Sequence, residues 1–324
     1  MRLTSALRSA ASIWTLRALG ALLLAAGLGL AYLAPLEGYC FYLFAEGGRF
    51  HQPGFGVGSF MFGNIAAQIV GYEALAAMLT PLGYGYLRVR SWARHLAEAL
   101  ARAWVVAGLP FVVAFLAVLL MSKDVATGAA AAAILLLAVA YPGLPWLVRR
   151  LPRLPAVEAA FARDTSPPIW IEAIPAPLVG LAVIYALVWL ALHVLILFHG
   201  LYPWFGAWRI GLDGITCLGA SALLLAVLCW GTLLQRRWAW WGGLVFFGAM
   251  GVSWVVTLAS TTWPGLLATL QFAADEAAIL GGMPLQGWHL AVGVGLPLLL
   301  LEIQIARAGD LFGPCGAHPR GTIG

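Results

Sequence analysis

The chain has 324 residues, of which 62% are hydrophobic and 10% charged, and its mean hydropathy is +0.92. Soluble domains carry about 25% charged residues, so this composition excludes an ordinary soluble enzyme. The net charge of +5 and pI near 9.2 do not point to nucleic acid, because in a membrane protein such an excess belongs to cytoplasmic loops facing anionic lipid.

Taken in chain order, Arg2, Arg8 and Arg17 lead into an apolar run over residues 18–35. Ala34 is followed by Pro35 and preceded by bulky Tyr32, a poor cleavage context for a signal peptide, so this run is read as an uncleaved first transmembrane helix. Residues 37–59 form a glycine- and aromatic-containing loop, and residues 60–86 a second span. Residues 91–103 read as an interfacial helix: Trp92, Leu96 and Leu100 share one face, and Arg94, Glu98 and Arg102 pair at i, i+4 on another. A third span covers 104–121 and a turn holds Lys123 and Asp124. A fourth span covers 128–148 and contains Pro142 and Pro145. These prolines are tolerable in hydrocarbon only if neighbouring helices or water satisfy the carbonyls they free.

A polar, proline-rich cytoplasmic linker at 149–177 separates transmembrane helices 1–4 (residues 1–148) from helices 5–8 (residues 178–307). The later spans are 178–198, 210–234, 240–260 and 288–305, each near the 20 or so residues that cross a bilayer. A loop with Pro264, Asp275 and Glu276, and room for a second interfacial helix, precedes the last span. A short cytoplasmic tail, 308–324, ends the chain. With the N-terminus inside, every basic residue except Arg49, Lys123 and Arg209 falls on the cytoplasmic side. This distribution predicts eight helices with both termini cytoplasmic. The fold class is therefore an all-α integral membrane protein, expected in a prokaryotic cytoplasmic (inner) membrane.

Two turns anchor this map at the interface: Arg88-Val89-Arg90-Ser91-Trp92 and Gln235-Arg236-Arg237-Trp238-Ala239-Trp240-Trp241. Their likeness points to two four-helix halves in parallel repeat. The alternative is that Arg and Trp collect at membrane surfaces without any repeat.

Polar residues inside spans are candidates for function because hydrocarbon penalises them. On the second span Asn64 and Gln68 share a face that Tyr72 continues, and Glu73 lies roughly 140° round from Gln68. These four are the candidate substrate pathway, although a Glu can equally bond a neighbouring helix. Glu302 and Gln304 read as headgroup-level partners of Arg307. His51, His193, His199 and His289 fall on the outer side and are candidate metal or haem ligands, as alternatives to outer histidines bonding headgroups or backbone. Two four-helix halves with outer histidines resemble the haem A synthase family in architecture alone. That family uses paired histidines in each half, whereas here the first half has only His51, in a loop, and His95, on the opposite side. The four cysteines, Cys40, Cys217, Cys229 and Cys315, have no C-x-x-C spacing.

The expected function is a small-solute or ion permease. The alternatives are a non-catalytic membrane-complex subunit or assembly factor, and a haem or metal redox enzyme. No cofactor is required by any motif. The expected partners are the lipid bilayer and other membrane proteins or further copies of the chain, with no nucleic acid. Reporter fusions test the topology: a fusion at Lys123 is expected to report outside and one at Arg236 inside, and the reverse would overturn the map.

Overall fold

The computed structural model describes residues 2–52, 55, 56, 58–121, 127–283 and 285–313. Lys123, Asp124, Cys315 and Arg320 lie outside the described residues. The chain is almost wholly helical. Seven helical stretches among the described residues are long and apolar enough to cross a membrane: Ile13–Phe44, Phe60–Leu87, Thr127–Arg150, Ala176–Leu197, Gly211–Leu233, Arg237–Ser260 and Gly287–Arg307.

Helix α1 (Arg2–Phe44) continues well past Pro35 and absorbs residues 37–44, expected as loop. It forms an antiparallel hairpin with α2 (Phe60–Leu87). Glycine makes the approach close enough for backbone contact: a Cβ at Gly20 would collide with the backbone of Gly83 and Leu87, and one at Gly83 with Leu24. Lipid tails are as apolar as the side chains, so such association rests on van der Waals packing, which small residues at the seam permit.

Residues 91–103 belong to α3 (Ser91–Ala107), which is followed by α4 (Leu109–Met121). The interfacial expectation for this stretch holds for one face only. Ala93, Ala97, Ala99, Ala101 and Ala103 are buried where α3 packs on α2, α6 (Leu144–Arg150) and α8 (Ala176–Leu197). Trp92, Leu96 and Leu100 lie beside these alanines and line an open apolar cavity of about 360 Å³ together with Ala77, Met78, Pro81 and Val183, while Arg94, Glu98 and Arg102 take the other side.

The fourth predicted span consists of α5 (Thr127–Ala138), one turn of π-helix (Val139–Gly143) and α6. The π turn follows from the prolines. Leu144 donates to the Val139 carbonyl, so the next carbonyl, that of Ala140, faces Pro145, which has no N–H to give. Trp104 of α3 fills the gap, its Nε1 donating to Ala140 O at 3.1 Å. The Tyr141 hydroxyl donates to the Val105 carbonyl, so two side-chain hydrogen bonds join the π turn to α3 near the α3–α4 break.

The linker is a folded element. Its helix α7 (Pro155–Phe161) packs on α1, with the Phe161 ring edge-on to Tyr86 at 5.8 Å. Behind α7, Asp164 accepts from Arg90 Nη1 (3.0 Å) and from the Ser91 N–H (2.9 Å), and so caps α3 from outside the helix. Burial alone would raise the Asp164 carboxyl. The hydrogen bonds from Ser166, Ser91 and Arg90 outweigh it and hold the group well below the usual carboxylate range.

The second half packs α8, α9 (Gly211–Leu233), α10 (Arg237–Ser260) and α13 (Gly287–Arg307) around Tyr185, Leu225, Leu228, Phe247, Leu301 and Ile305. Small residues again set the α10–α13 seam. A Cβ at Gly248 would lie 3.3 Å from Glu302 Oε1, one at Gly251 3.7 Å from Leu298, and one at Gly295 2.8 Å from Val255. Short helices α11 (Trp263–Leu270) and α12 (Ala274–Gly281) fill the loop before α13. From α12, Glu276 Oε2 accepts from the Phe60 N–H at 3.2 Å and joins Ser59 in capping α2.

The turns at Arg90 and Arg236 share one backbone geometry. Val89 and Gln235 both have positive φ, +52° and +55°. Arg90 donates to Gly85 O at 2.8 Å and Arg236 to Gly231 O at 2.9 Å, while Ala93 and Ala239 donate back to Arg90 O and Arg236 O. At both Gly85 and Gly231 an added Cβ would strike the following tryptophan, Trp92 or Trp238, and the alanine after it.

Trp104→Phe and Tyr141→Phe are each expected to lower stability by about 0.5–2 kcal/mol, the range for single hydrogen bonds between membrane helices. The double variant should lose less than the sum, since both act on one contact between α3 and the π turn. Unfolding midpoints in mild detergent read both effects.

Candidate functional site

The four pathway candidates do not converge on a cavity. Asn64 and Glu73 are exposed on the outside of α2, and Gln68 and Tyr72 are half-buried. Among the described residues none of the four side chains has a hydrogen-bond or ion-pair partner. The stripe of Asn64, Gln68 and Tyr72 is fully exposed only at Asn64, and Glu73 lies about 180° round the helix from that residue.

The histidines stay apart. His51 is exposed in the loop after α1. His193 turns its Nδ1 to the Trp189 carbonyl one turn back (2.7 Å) and packs on the Trp189 ring. His199 sits at positive φ, +56°, where the chain leaves α8, with its ring against Gly58. His289 Nδ1 accepts from the Gln286 N–H (3.0 Å), capping α13, and its ring lies 3.8 Å from that of Trp288. Among the described residues no three His, Cys, Asp or Glu side chains are grouped as a metal site would need. His193 and His289 are each held by local backbone and ring contacts.

The interfacial anchors divide into two kinds. Arg88 is exposed, with its guanidinium 6.0 Å from the Tyr84 ring centre, and Arg90 is held by Asp164. Arg236, Arg237, Trp238 and Trp241 are exposed. Trp240 is turned inward, with Nε1 donating to Ile305 O at 2.9 Å.

The densest polar cluster within the spans was missed by sequence reasoning. Between α8 and α9 the chain forms a β-hairpin, β1 (Tyr202–Trp204) and β2 (Ala207–Arg209), turning at Phe205-Gly206. Both turn residues have positive φ, +42° and +98°, the geometry of a tight turn that follows strand twist. The hairpin lies along α10 and its polar groups meet hydroxyls spaced one turn apart. Ser253 Oγ accepts from the Phe205 N–H (3.0 Å) and donates to Pro203 O (2.8 Å). Thr257 Oγ1 accepts from the Gly206 N–H (2.9 Å), and Thr261 Oγ1 from Trp208 Nε1 (2.9 Å). Tyr202 reaches Ser221 of α9 at 3.0 Å. Ser253 precedes the end of α10 by seven residues, so the hairpin tip lies roughly 10 Å along the helix from that end. Lone edge N–H and C=O groups at such depth would cost several kcal/mol each, and the hydroxyl ladder removes that cost.

A second polar cluster lies near the other end of the same helices. Tyr185 and Thr232 are almost wholly buried. The Tyr185 hydroxyl fits above Gly243, where a Cβ would lie 2.8 Å away. Glu302 Oε1 is buried without a hydrogen-bond partner, against Gly248. The expected Glu302–Arg307 pairing is therefore corrected: no ion pair joins them, because the Glu302 side chain turns into the α10–α13 seam. The signal available in the sequence was Gly248 in α10, which leaves a slot that only a side chain from the facing helix can fill.

Thr257→Val removes the acceptor of the Gly206 amide while keeping the shape. It is expected to speed hydrogen exchange across 203–207 at least tenfold, the factor for about 1.4 kcal/mol, whereas Thr257→Ser leaves exchange near wild type. Equal protection in all three proteins would show that the ladder does not hold the hairpin. Comparison of the chain with protein-family models, curated proteins and solved structures finds no match.

Proposed function

We propose that the protein is a non-catalytic subunit of a membrane complex, and that the exposed side of α2 that carries Glu73 is the face it offers to a neighbouring helix. One observation carries the reading: Glu73 stands in the body of a span, exposed and without a partner in its own chain. An acidic side chain facing acyl chains near the bilayer centre costs about 2.5–3.5 kcal/mol on insertion scales. A donor from a second helix offsets that cost.

In this reading the chain crosses eight times with both ends cytoplasmic. The additional crossing comprises the last turn of α3 and α4, residues 104–121, about 27 Å of helix at 1.5 Å per residue. The matching turns at Arg90 and Arg236 support two halves of common design, and the basic residues on the cytoplasmic side support the orientation. A prokaryotic cytoplasmic membrane suits that charge pattern.

A permease is the second reading. It rests on Glu302, an unpartnered carboxyl inside the α10–α13 seam close to the buried core, rather than on the α2 stripe. The haem or metal enzyme has the least support, since its four histidines lie in separate local settings.

Mild extraction into native nanodiscs is expected to yield a complex larger than the 34.4 kDa chain. Glu73→Leu should release the chain as a monomer with an unchanged melting temperature, and recovery of a lone wild-type chain from its native membrane would sink the subunit reading. The permease reading requires instead that Glu302→Gln alter solute or proton flux in liposomes.

A further inference from the structure

We infer that the turn at Arg236 is a binding site for the phosphate of an anionic phospholipid headgroup. Its twin at Arg90 carries an anion already. There Asp164 brings a carboxylate to Arg90 Nη1 (3.0 Å) and to the N–H of Ser91 (2.9 Å), the first residue of α3. The second turn repeats the backbone hydrogen bonds, the positive φ and the Gly–Trp–Ala contact of the first. Arg236 therefore stands where Arg90 stands, and the Arg237 N–H where the Ser91 N–H stands. Arg236 gives α10 no side-chain cap, and no carboxylate among the described residues pairs with Arg236 or Arg237. Residues 314–324, which follow the bridge between Gly313 and Arg236, contain no Asp or Glu.

The replacement of Ser91 by Arg237 decides the ligand. At the first turn Asp164 and Glu172 bring two carboxylates to Arg90 and Ser91; the second turn presents two guanidinium groups, Arg236 and Arg237, both exposed, at the positive end of a helix dipole. A phosphodiester offers several oxygens to such a pair, with the planar fork geometry that guanidinium groups favour. The exposed rings of Trp238 (45%) and Trp241 (55%) are residues of the kind that settle at headgroup level. This places the site at the lipid surface and favours a lipid phosphate over one free in solution.

Native mass spectrometry of the full chain, released from micelles mixed with equal phosphatidylglycerol and phosphatidylcholine, tests the assignment. Wild type is expected to retain phosphatidylglycerol preferentially. Arg236→Gln and Arg237→Gln should each reduce that preference by about fivefold, and millimolar inorganic phosphate should leave it unchanged. Arg149→Gln with Arg150→Gln removes another exposed basic pair and serves as the control, expected to keep the preference. Melting temperatures should not move for any of these variants, since all four side chains are exposed. An equal loss in the control would reduce the effect to general surface charge and overturn the site. So would the absence of preference in wild type, or displacement of the lipid by inorganic phosphate, which would mark the turn as a free-anion site.

Discussion

In hydrocarbon, a backbone N–H or C=O without a protein partner has no water to fall back on. Regular helices meet that constraint unaided, so the departures from regularity are where this structure has to be explained. Two such places stand out among the described residues. The π turn at Val139–Gly143 leaves the Ala140 carbonyl facing Pro145, and the hairpin at Tyr202–Arg209 brings two short strands alongside α10. Each is completed by side chains from another element: Trp104 in the first case, Ser253, Thr257 and Thr261 in the second. The irregular segment and its partner are therefore interdependent. Neither Pro145 nor the hairpin fits the bilayer without the residues that meet it.

The polar segment between the halves links the two matching turns. Asp164 caps α3 through Ser91 and holds Arg90, and Glu172 accepts from the Ser91 hydroxyl at 2.6 Å. One residue further, the Ala173 carbonyl lies 3.5 Å from Gln235 Nε2, in the second turn. A stretch rich in proline and arginine thus fixes the position of both halves at one membrane surface. It also makes them unequal, because its carboxylates are spent on the first turn and the second keeps its arginines exposed.

Much of this architecture was legible from apolar runs and charge. The spans at 60–86, 178–198, 210–234, 240–260 and 288–305 fall within a few residues of the observed helices. The requirement that Pro142 and Pro145 be met by neighbours was also legible, though not that Trp104 would meet it, since contacts between helices leave no periodic trace. The hairpin was invisible for a physical reason. Its turn is Phe205-Gly206 rather than Asn-Gly, its strands are three residues long, and the acceptors that stabilise it lie some fifty residues away on α10. For α2, hydrophobic periodicity cannot say whether a polar face looks inward or outward. In a bilayer both the core and the surroundings are apolar, so the usual inside–outside contrast is lost.

That loss of contrast also governs where function can sit. The largest buried groups of the second half, Tyr185 and Phe247 with the leucines around them, form an apolar core with rings 5.1 Å apart. The described cavities beside it and beneath α3 are apolar as well. Polarity is placed in four spots: the α2 side with Glu73, the hydroxyl ladder under the hairpin, the buried group of Tyr185, Thr232 and Glu302, and the basic turn at Arg236. The ladder is saturated by its own hairpin and has little capacity left for a ligand. Glu73 and Arg236 both lack a partner among the described residues, one acidic within a span and the other basic at its end. Lipid phosphate can meet the second but not the first, since no headgroup reaches the middle of a helix. A carboxyl at that depth takes up a proton or pairs with a protein neighbour; the proposed function takes the second course for α2, and the proposed lipid site rests on α10.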